Sequence, residues 1–260
     1  MRSTDMADEL FGAADALPGG VRLATAKRGG VTVTRVEIAR EGLARPRGRY
    51  VTLEMPSVSV LDERDTDVIE TGAAELRALL PPEGPVLVLG IGNRRVTADA
   101  LGPRTAQKIL VTMGPQHTLP VRGIRPVAAL APGVSGDTGL TLRQLAAAMV
   151  DAVRPASLIC VDSLCSAEAA RLGRTIQFSD TGLHPADARH ARHLDAAALG
   201  VPVIAAGIPT LMDADEGADL VLTPRALDSV IAHGSALLAG ILNRALQPRL
   251  SVAQLCWLTG

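Results

Sequence analysis

Aromatic residues are scarce in this chain of 260 residues: one Trp, one Tyr and two Phe make up 2% of it. Proteins that bind single-stranded nucleic acid stack bases on aromatic rings, so the composition argues against that class of function. Hydrophobic residues nevertheless make up 47% of the chain. Val, Leu, Ile and Ala must therefore build the core, which favours close packing of helices on a sheet. The length fits one large domain.

The chain also lacks an excess of charge of either sign, and it lacks closely spaced cysteine pairs. The 26 basic and 27 acidic residues are interspersed and give a net charge of −1. Because the chain has no block of basic residues, we expect no direct nucleic-acid partner. The three cysteines, Cys160, Cys165 and Cys256, contain no C-x-x-C pair, which is typical of a reducing compartment. A cysteine nucleophile is the less favoured reading because the surrounding motifs are rich in carboxylates.

Long apolar runs are absent as well. No stretch approaches the roughly 18–20 uninterrupted apolar residues of a membrane span. The N-terminus, MRSTDMADELFGAADALPGG, is too polar and acidic for a signal peptide. We therefore expect a cytoplasmic protein with no membrane partner.

The N-terminal part of the chain alternates in period 2. Residues 1–20 are polar and end in Pro18-Gly19-Gly20, which predicts a flexible arm before a single α/β domain over 21–260. Strands are predicted at Val31–Ile38 and Arg49–Met55, within a β-rich part at about 31–56. Helical spacing follows over 66–80 and stops at two prolines.

From Val86 onward, short continuous apolar runs alternate with helices. Such runs are typical of strands buried on both faces of a parallel sheet, and they lie at 86–92, 127–131, 157–162 and 201–209. We predict a three-layer α/β fold whose mostly parallel sheet has helices on both faces, after an N-terminal β-rich extension. Thr97, Thr141 and Thr223-Pro224 are predicted helix starts, the last for a helix over 224–246.

Two acids follow predicted parallel strands. Asp99 lies six residues after Asn93, at the end of the GIGN run, and Asp162 ends the strand at 157–162. Ligands bind beyond the carboxyl ends of such strands. A carboxylate pair there could serve as base and acid in hydrolysis. The alternatives are that Asp99 is a first-turn acid favoured by the helix dipole and that Asp162 caps the next turn.

Two further patterns have ordinary interpretations. A dinucleotide-binding G-x-G-x-x-G motif requires Gly at 95, where Arg95 stands, so the GIGN run does not complete that motif. Asp180-Thr181-Gly182 predicts a tight turn ahead of His184. His184, His190 and His193 could suggest a metal cluster, but the interleaved Arg189 and Arg192 favour a solvated basic face.

Several long motifs resemble one known family, the germination (spore) proteases. The resemblance covers nearly the whole chain and follows the family's order. It is carried by GIGNRRVTADALGP at 90–103, RPVAALAPGVSGDTGL at 125–140, VDSLCS at 161–166, FSDTGLHP at 178–185, LGVPVIAAGIPTLMDA at 199–214 and VLTPRALD at 221–228.

The resemblance implies an endopeptidase that degrades small acid-soluble spore proteins in the spore core, without a cofactor. The family's two essential aspartates fall on Asp99 and Asp162. The matching motifs also place substrate-binding or supporting residues at Asn93, Thr97, Asp180, Thr181 and His184. Members of the family are homotetramers made as zymogens, from which a short N-terminal extension is removed.

The fold is also similar to that of hydrogenase maturation peptidases. They share the G-x-G-N strand end, the acid six positions after the Asn and a later strand-end Asp. This likeness gives the alternative reading, a metal-dependent processing peptidase whose ligands would be Asp99, Asp162 and His184. A third reading is a non-catalytic binding protein that kept the fold, against which the presence of both aspartates weighs.

The sequence departs from the family in three places. Residues 186–193 lack the family's glycine-rich run, only about ten residues separate Asp213 from Thr223, and little precedes the N-terminal motif. The family's processing site maps near Asp5-Met6. Because so few residues precede that site, we expect this chain to be active without processing.

Overall fold

A computed structural model describes residues 3–12, 16–61, 64–114, 123–184, 193–214 and 220–259. The strands are β1 Val21–Arg28, β2 Val31–Ile38, β3 Gly48–Glu54, β4 Val86–Gly90, β5 Val127–Leu130, β6 Ser157–Cys165, β7 Thr175–Ser179, β8 Val203–Asp213 and β9 Val221–Leu222. The α-helices are α1 Ala7–Gly12, α2 Thr66–Leu79, α3 Leu101–Ala106, α4 Ser135–Thr138, α5 Leu142–Val153, α6 Ala196–Leu199, α7 Leu227–Leu246 and α8 Val252–Thr259.

The described strands form one mixed sheet in the order β1-β2-β3-β7-β8-β6-β4-β5, with β9 paired to β8. Strands β5, β4, β6 and β8 are parallel, as the continuous apolar runs predict. The rest of the sheet is antiparallel, so the expectation of a mostly parallel sheet is not accurate. The reason is β7, which the sequence did not predict: it runs antiparallel to both β8 and β3 and thereby joins the N-terminal strands to the parallel half.

Helices cover both faces of the sheet, which confirms the layered α/β architecture. On one face α2, α3 and α7 pack against alternate residues of nearly every strand. On the other face α5 packs against Leu87, Leu89 and Leu158. Within the described residues one helix, α7, is long and apolar enough to cross a membrane by length and composition, and 67% of that stretch is buried inside the protein. It is the central core helix of its face.

Helix starts agree with the predictions only in part. Thr141 caps α5 and forms a reciprocal capping box with Gln144, as its position predicted. Helix α7 begins at Leu227 rather than at 224, and Ala226 is its N-cap. Thr97 opens a short 3₁₀ turn, Thr97–Asp99, instead of capping an α-helix with its side chain.

The N-terminal segment, residues 4–11, is packed against the sheet, unlike the loose arm that its polar composition suggested. Met6 and Ala7 are fully buried. Asp5 exchanges backbone and carboxylate hydrogen bonds with Cys165, at 2.8 Å each. The segment's acidic side chains pair with arginines distant in sequence, Arg45 and Arg171. Such partners are invisible in local composition.

Candidate active site

Asp162 lies on the carboxyl-terminal part of β6, opposite Gly207 of β8. Asp162 is only 6% exposed, and its Oδ1 accepts a hydrogen bond from the Ser163 N–H at 2.8 Å. Gly207 is required at this approach, because a Cβ there would lie 2.4 Å from the Asp162 carbonyl oxygen. The main chain thus fixes the position of this acid.

The neighbouring cysteines are unsuited to nucleophilic attack. Burial, followed by the negative charge of Asp162, raises the pKa of the Cys160 thiol above its usual range. Burial likewise raises the pKa of Cys165 to about 12. Because the thiolate is the reactive form, both thiols remain protonated and inert near neutral pH.

Asp99 is held by the loop that follows β4. Its Oδ2 accepts a hydrogen bond from the Asn93 N–H at 2.7 Å, so the spacing of six residues seen in the sequence corresponds to a direct contact. Asn93 in turn accepts the Arg95 N–H at 2.9 Å, which closes a turn. Gly92 has a φ of +119°, and a Cβ there would meet the Asp99 carbonyl oxygen at 2.1 Å. Only glycine fits this position.

The start of α3 packs directly on the ends of β4 and β6. Ile91, just after β4, donates its N–H to the Val161 carbonyl at 2.7 Å. A Cβ at Gly102 would lie 2.2 Å from the Ile91 carbonyl oxygen and 2.3 Å from that of Val161. Asp99 lies three residues before Gly102 in the chain, and Asp162 directly follows Val161. Both predicted acids are therefore brought to the same edge of the sheet.

The Asp180-Thr181 turn lies elsewhere. Because β7 is antiparallel, its last residue, Ser179, pairs with Ala205, two residues before Gly207. The turn is thus two strands, roughly 10 Å, from β6 and displaced toward the amino ends of the parallel strands. Asp180 accepts hydrogen bonds from the N–H and the Nε of Arg49, both at 2.7 Å. These contacts attach the turn to the start of β3.

His184 belongs to this second region. Its Nε2 is 2.9 Å from the Thr181 carbonyl and 3.8 Å from an Asp195 carboxylate oxygen, and its ring meets that of His193 edge to face at 5.1 Å. Burial is the main cause that lowers the pKa of His184. His190 and most of the altered loop at 186–193 lie outside the described residues.

The described residues contain no group of three His, Cys, Asp or Glu side chains placed to hold a metal ion. Asp99, Asp162 and His184 are therefore not assembled as such a set in this structure. Asp99 and Asp162 lie at one edge of the sheet, and His184 lies in a separate region.

Sequence reasoning overlooked a buried hydroxyl beside the site. The Oγ of Ser163, the residue after Asp162, is buried and has no hydrogen-bond partner among the described residues. A buried unpaired hydroxyl costs on the order of 1–3 kcal/mol. Serine is too common for its presence alone to have signalled this.

Open α/β sheets bind ligands beyond the carboxyl ends of their parallel strands, which is the edge where Asp99 and Asp162 lie. The chain belongs to the germination protease family, whose model matches residues 11–216. It is therefore an endopeptidase of that family, and the resemblance found in the sequence motifs is confirmed.

Individual relatives agree. The germination protease of Clostridium perfringens strain 13 is 32% identical over 278 residues, covering 85% of this chain and 86% of that protein. That of Caldanaerobacter subterraneus subsp. tengcongensis is 40% identical over 210 residues, covering 75% and 64%. That of Bacillus velezensis is 37% identical over 222 residues, covering 79% and 58%.

One solved structure is also similar. It is the [NiFe] hydrogenase maturation protease HycI from Thermococcus kodakarensis KOD1, 17% identical in sequence, with a TM-score of 0.44. The match covers 66% of this chain and 98% of that one.

Proposed function

We propose that this endopeptidase hydrolyses small acid-soluble spore proteins with a water molecule activated by Asp99 and Asp162. The observation that carries the proposal is the packing of Gly102 on the Ile91 and Val161 carbonyls, which holds the two acid-bearing segments against each other. Backbone N–H groups orient both carboxylates from their own segments.

The chemistry assigns one proton transfer to each acid. One carboxylate takes a proton from water as the resulting hydroxide adds to the scissile carbonyl carbon. The other, protonated, gives its proton to the leaving amine as the C–N bond breaks. Two carboxylates that share one proton suit these complementary roles.

The other predicted residues have supporting roles in this proposal. Asn93 orients Asp99 through its N–H, and Thr97 opens the turn that carries Asp99. Asp180, Thr181 and His184 lie in the separate region beyond β7, and their proposed role is to bind or support the extended substrate rather than to transfer protons. We extend the family's cytoplasmic spore-core location and homotetramer to this chain, and light scattering of the purified protein tests the latter.

The proposal is tested by incubating the purified chain with a purified small acid-soluble spore protein and identifying the fragments by mass spectrometry. We expect a few defined internal cuts, absent with Asp99→Asn and Asp162→Asn. Asp151→Asn, which changes an exposed acid on α5, is the matched control and should cleave normally. Full cleavage by either folded site variant would refute the roles of these acids.

We also propose that hydrolysis is independent of metal. Chelators should then leave the rate unchanged, and His184→Ala should lower turnover without altering metal content. Stoichiometric zinc or nickel in the purified protein, with activity lost on chelation and regained on adding metal, would establish the processing-peptidase alternative instead.

A further inference from the structure

Strand β8 is irregular where it passes the site. It pairs with β6 in register from Leu158–Val203 to Leu164–Pro209, but the next pair joins Cys165 to Leu211. Thr210 is therefore the extra residue of a β-bulge and has no partner on β6. Bulges are over-represented beside active sites, where they re-aim a side chain or end a pairing.

The side chain of this extra residue has a specific partner. Thr210 is fully buried, and its hydroxyl donates a 2.8 Å hydrogen bond to the carbonyl of Ala98, the residue before Asp99. Within the 3₁₀ turn, the carbonyls of Val96 and Thr97 accept the N–H groups of Asp99 and Ala100. The Ala98 carbonyl instead accepts from the Thr210 hydroxyl on β8, so this bond attaches the turn to the sheet.

This bond links the two acids through rigid structure. Thr210 lies three residues beyond Gly207, which pairs directly with Asp162 across β8 and β6. The path from Asp162 to the Asp99 turn thus consists of one sheet pairing, a short stretch of the same strand and one hydrogen bond. The packing of Gly102 fixes the other end of the turn.

We infer that Thr210 is a positioning residue for the hydrolytic reaction. Through its bond to Ala98 it fixes the position of the Asp99 turn relative to Asp162 on β6. The inference rests on the proposed function. Thr210 does not contact the reacting atoms, since its hydroxyl is used by the Ala98 carbonyl. Its effect comes through geometry: a displacement of about 1 Å at a catalytic group can cost roughly 10²-fold in rate.

The test compares three variants at this position. Thr210→Val keeps the side-chain volume and removes the hydroxyl donor. Thr210→Ala removes the donor and part of the volume, and Thr210→Ser keeps the donor. We expect Val and Ala to lower kcat by about 10- to 100-fold with KM changed less than about threefold, and Ser to restore kcat to within about threefold of the unmodified chain. If Thr210→Val does not fold, the Ala and Ser pair carries the comparison.

Thr105 supplies a matched control. It is also fully buried, and its hydroxyl donates a 2.9 Å bond to Leu101 inside α3, so Thr105→Val loses a similar bond that does not tether the Asp99 turn. Thr105→Val should keep kcat, whatever its effect on stability.

The outcomes separate the two proposals. An active Asp99→Asn chain refutes the proposed function and the Thr210 inference with it. An inactive Asp99→Asn chain together with unchanged kcat in Thr210→Val, or with an equal loss in Thr105→Val, refutes the Thr210 inference alone. Failure of Thr210→Ser to restore kcat also overturns it, because the donor would then not be what matters.

Discussion

The N-terminal segment and the carboxyl edge of the sheet both hold carboxylates, but by different means. In the segment, Asp8 and Glu9 lie 2.5 and 3.3 Å from the guanidinium of Arg171, so opposite charge compensates them. At the edge, Asp99 and Asp162 accept backbone N–H groups. These contacts orient the two acids through the main chain. The ion pairs anchor the segment to the sheet, whereas the backbone donors at the edge fix the direction in which each acid points.

The same contrast extends to the packing around each region. Besides the backbone bond of Asp5 to Cys165, the segment is held by side chains such as Gln177, which accepts the Ala7 N–H and donates to the Asp5 carbonyl at 2.8 Å each. The edge is held by main chain packed on main chain, at glycines where no Cβ fits. We expect the edge to tolerate substitution less than the segment.

Apart from replacing the two aspartates themselves, the largest loss of activity should come from adding one methyl group at the edge. In Gly102→Ala the new Cβ would overlap two backbone carbonyl oxygens that cannot rotate away. Overpacking of this kind costs roughly 1–3 kcal/mol or more, and the displaced turn should lower kcat/KM by at least about 100-fold. Activity assays with circular dichroism measure both. Gly136→Ala, where nothing lies within 4 Å, is the control and should be nearly neutral.

Breaking the ion pairs of the segment should affect stability rather than chemistry. Arg171→Met leaves Asp8 and Glu9 buried without this partner, and we expect unfolding to become easier by about 3–5 kcal/mol. Urea denaturation measures the loss. The exposed pair of Arg22 with Glu37 offers the control, since Arg22→Met should cost at most about 1 kcal/mol. Equal losses in both variants would contradict the assigned role of Arg171.

Shortening the chain to begin at Met6 should have a smaller effect. It removes the hydrogen bonds between Asp5 and Cys165 and one ion pair with Arg45, worth together on the order of 1–3 kcal/mol. We expect lower thermal stability and no gain in activity. A large activation on trimming would instead show that these residues inhibit the enzyme.

The smallest effect concerns pH. Burial lowers the pKa of His184 in the folded chain, among His193, Asp195 and Arg45. Because the unfolded chain binds the proton more readily, this contribution to stability is present above about pH 6.5 and is lost as pH falls through the folded pKa. His184→Gln should therefore flatten the fall of the urea midpoint between pH 7 and 5. An unchanged slope would contradict this assignment.

Sequence patterns predicted the parallel half better than the rest of the fold. Continuous apolar runs located β4, β5, β6 and β8, and alternation located β2 to the residue. The sequence missed β7, whose five buried residues include Gln177, and β1, most of which is exposed. Strand β7 alternates in period 2 over only five residues, and most of β1 is exposed, so the local signal for both strands is weak and tertiary pairing determines them.

At the site, too, features local in the sequence were visible in it, and features that depend on tertiary contacts were not. The spacing from Asn93 to Asp99 was visible in the sequence because it is local, and in the structure it corresponds to a hydrogen bond. The bond from Thr210 to Ala98 and the anchoring of Asp5 join residues more than 100 positions apart, and the bulge at Thr210 depends on pairing with the distant strand β6, so local sequence does not encode them.

The most direct test of the central claim is the kcat/KM of Asp99→Asn, Asp162→Asn and the double variant on one substrate, each shown to be folded. If the two acids act as a unit, each single variant should lose activity by at least about 10³-fold, and the double variant should lose little more. Losses that multiply in the double variant, or substantial activity in a folded single variant, would contradict a shared task for Asp99 and Asp162.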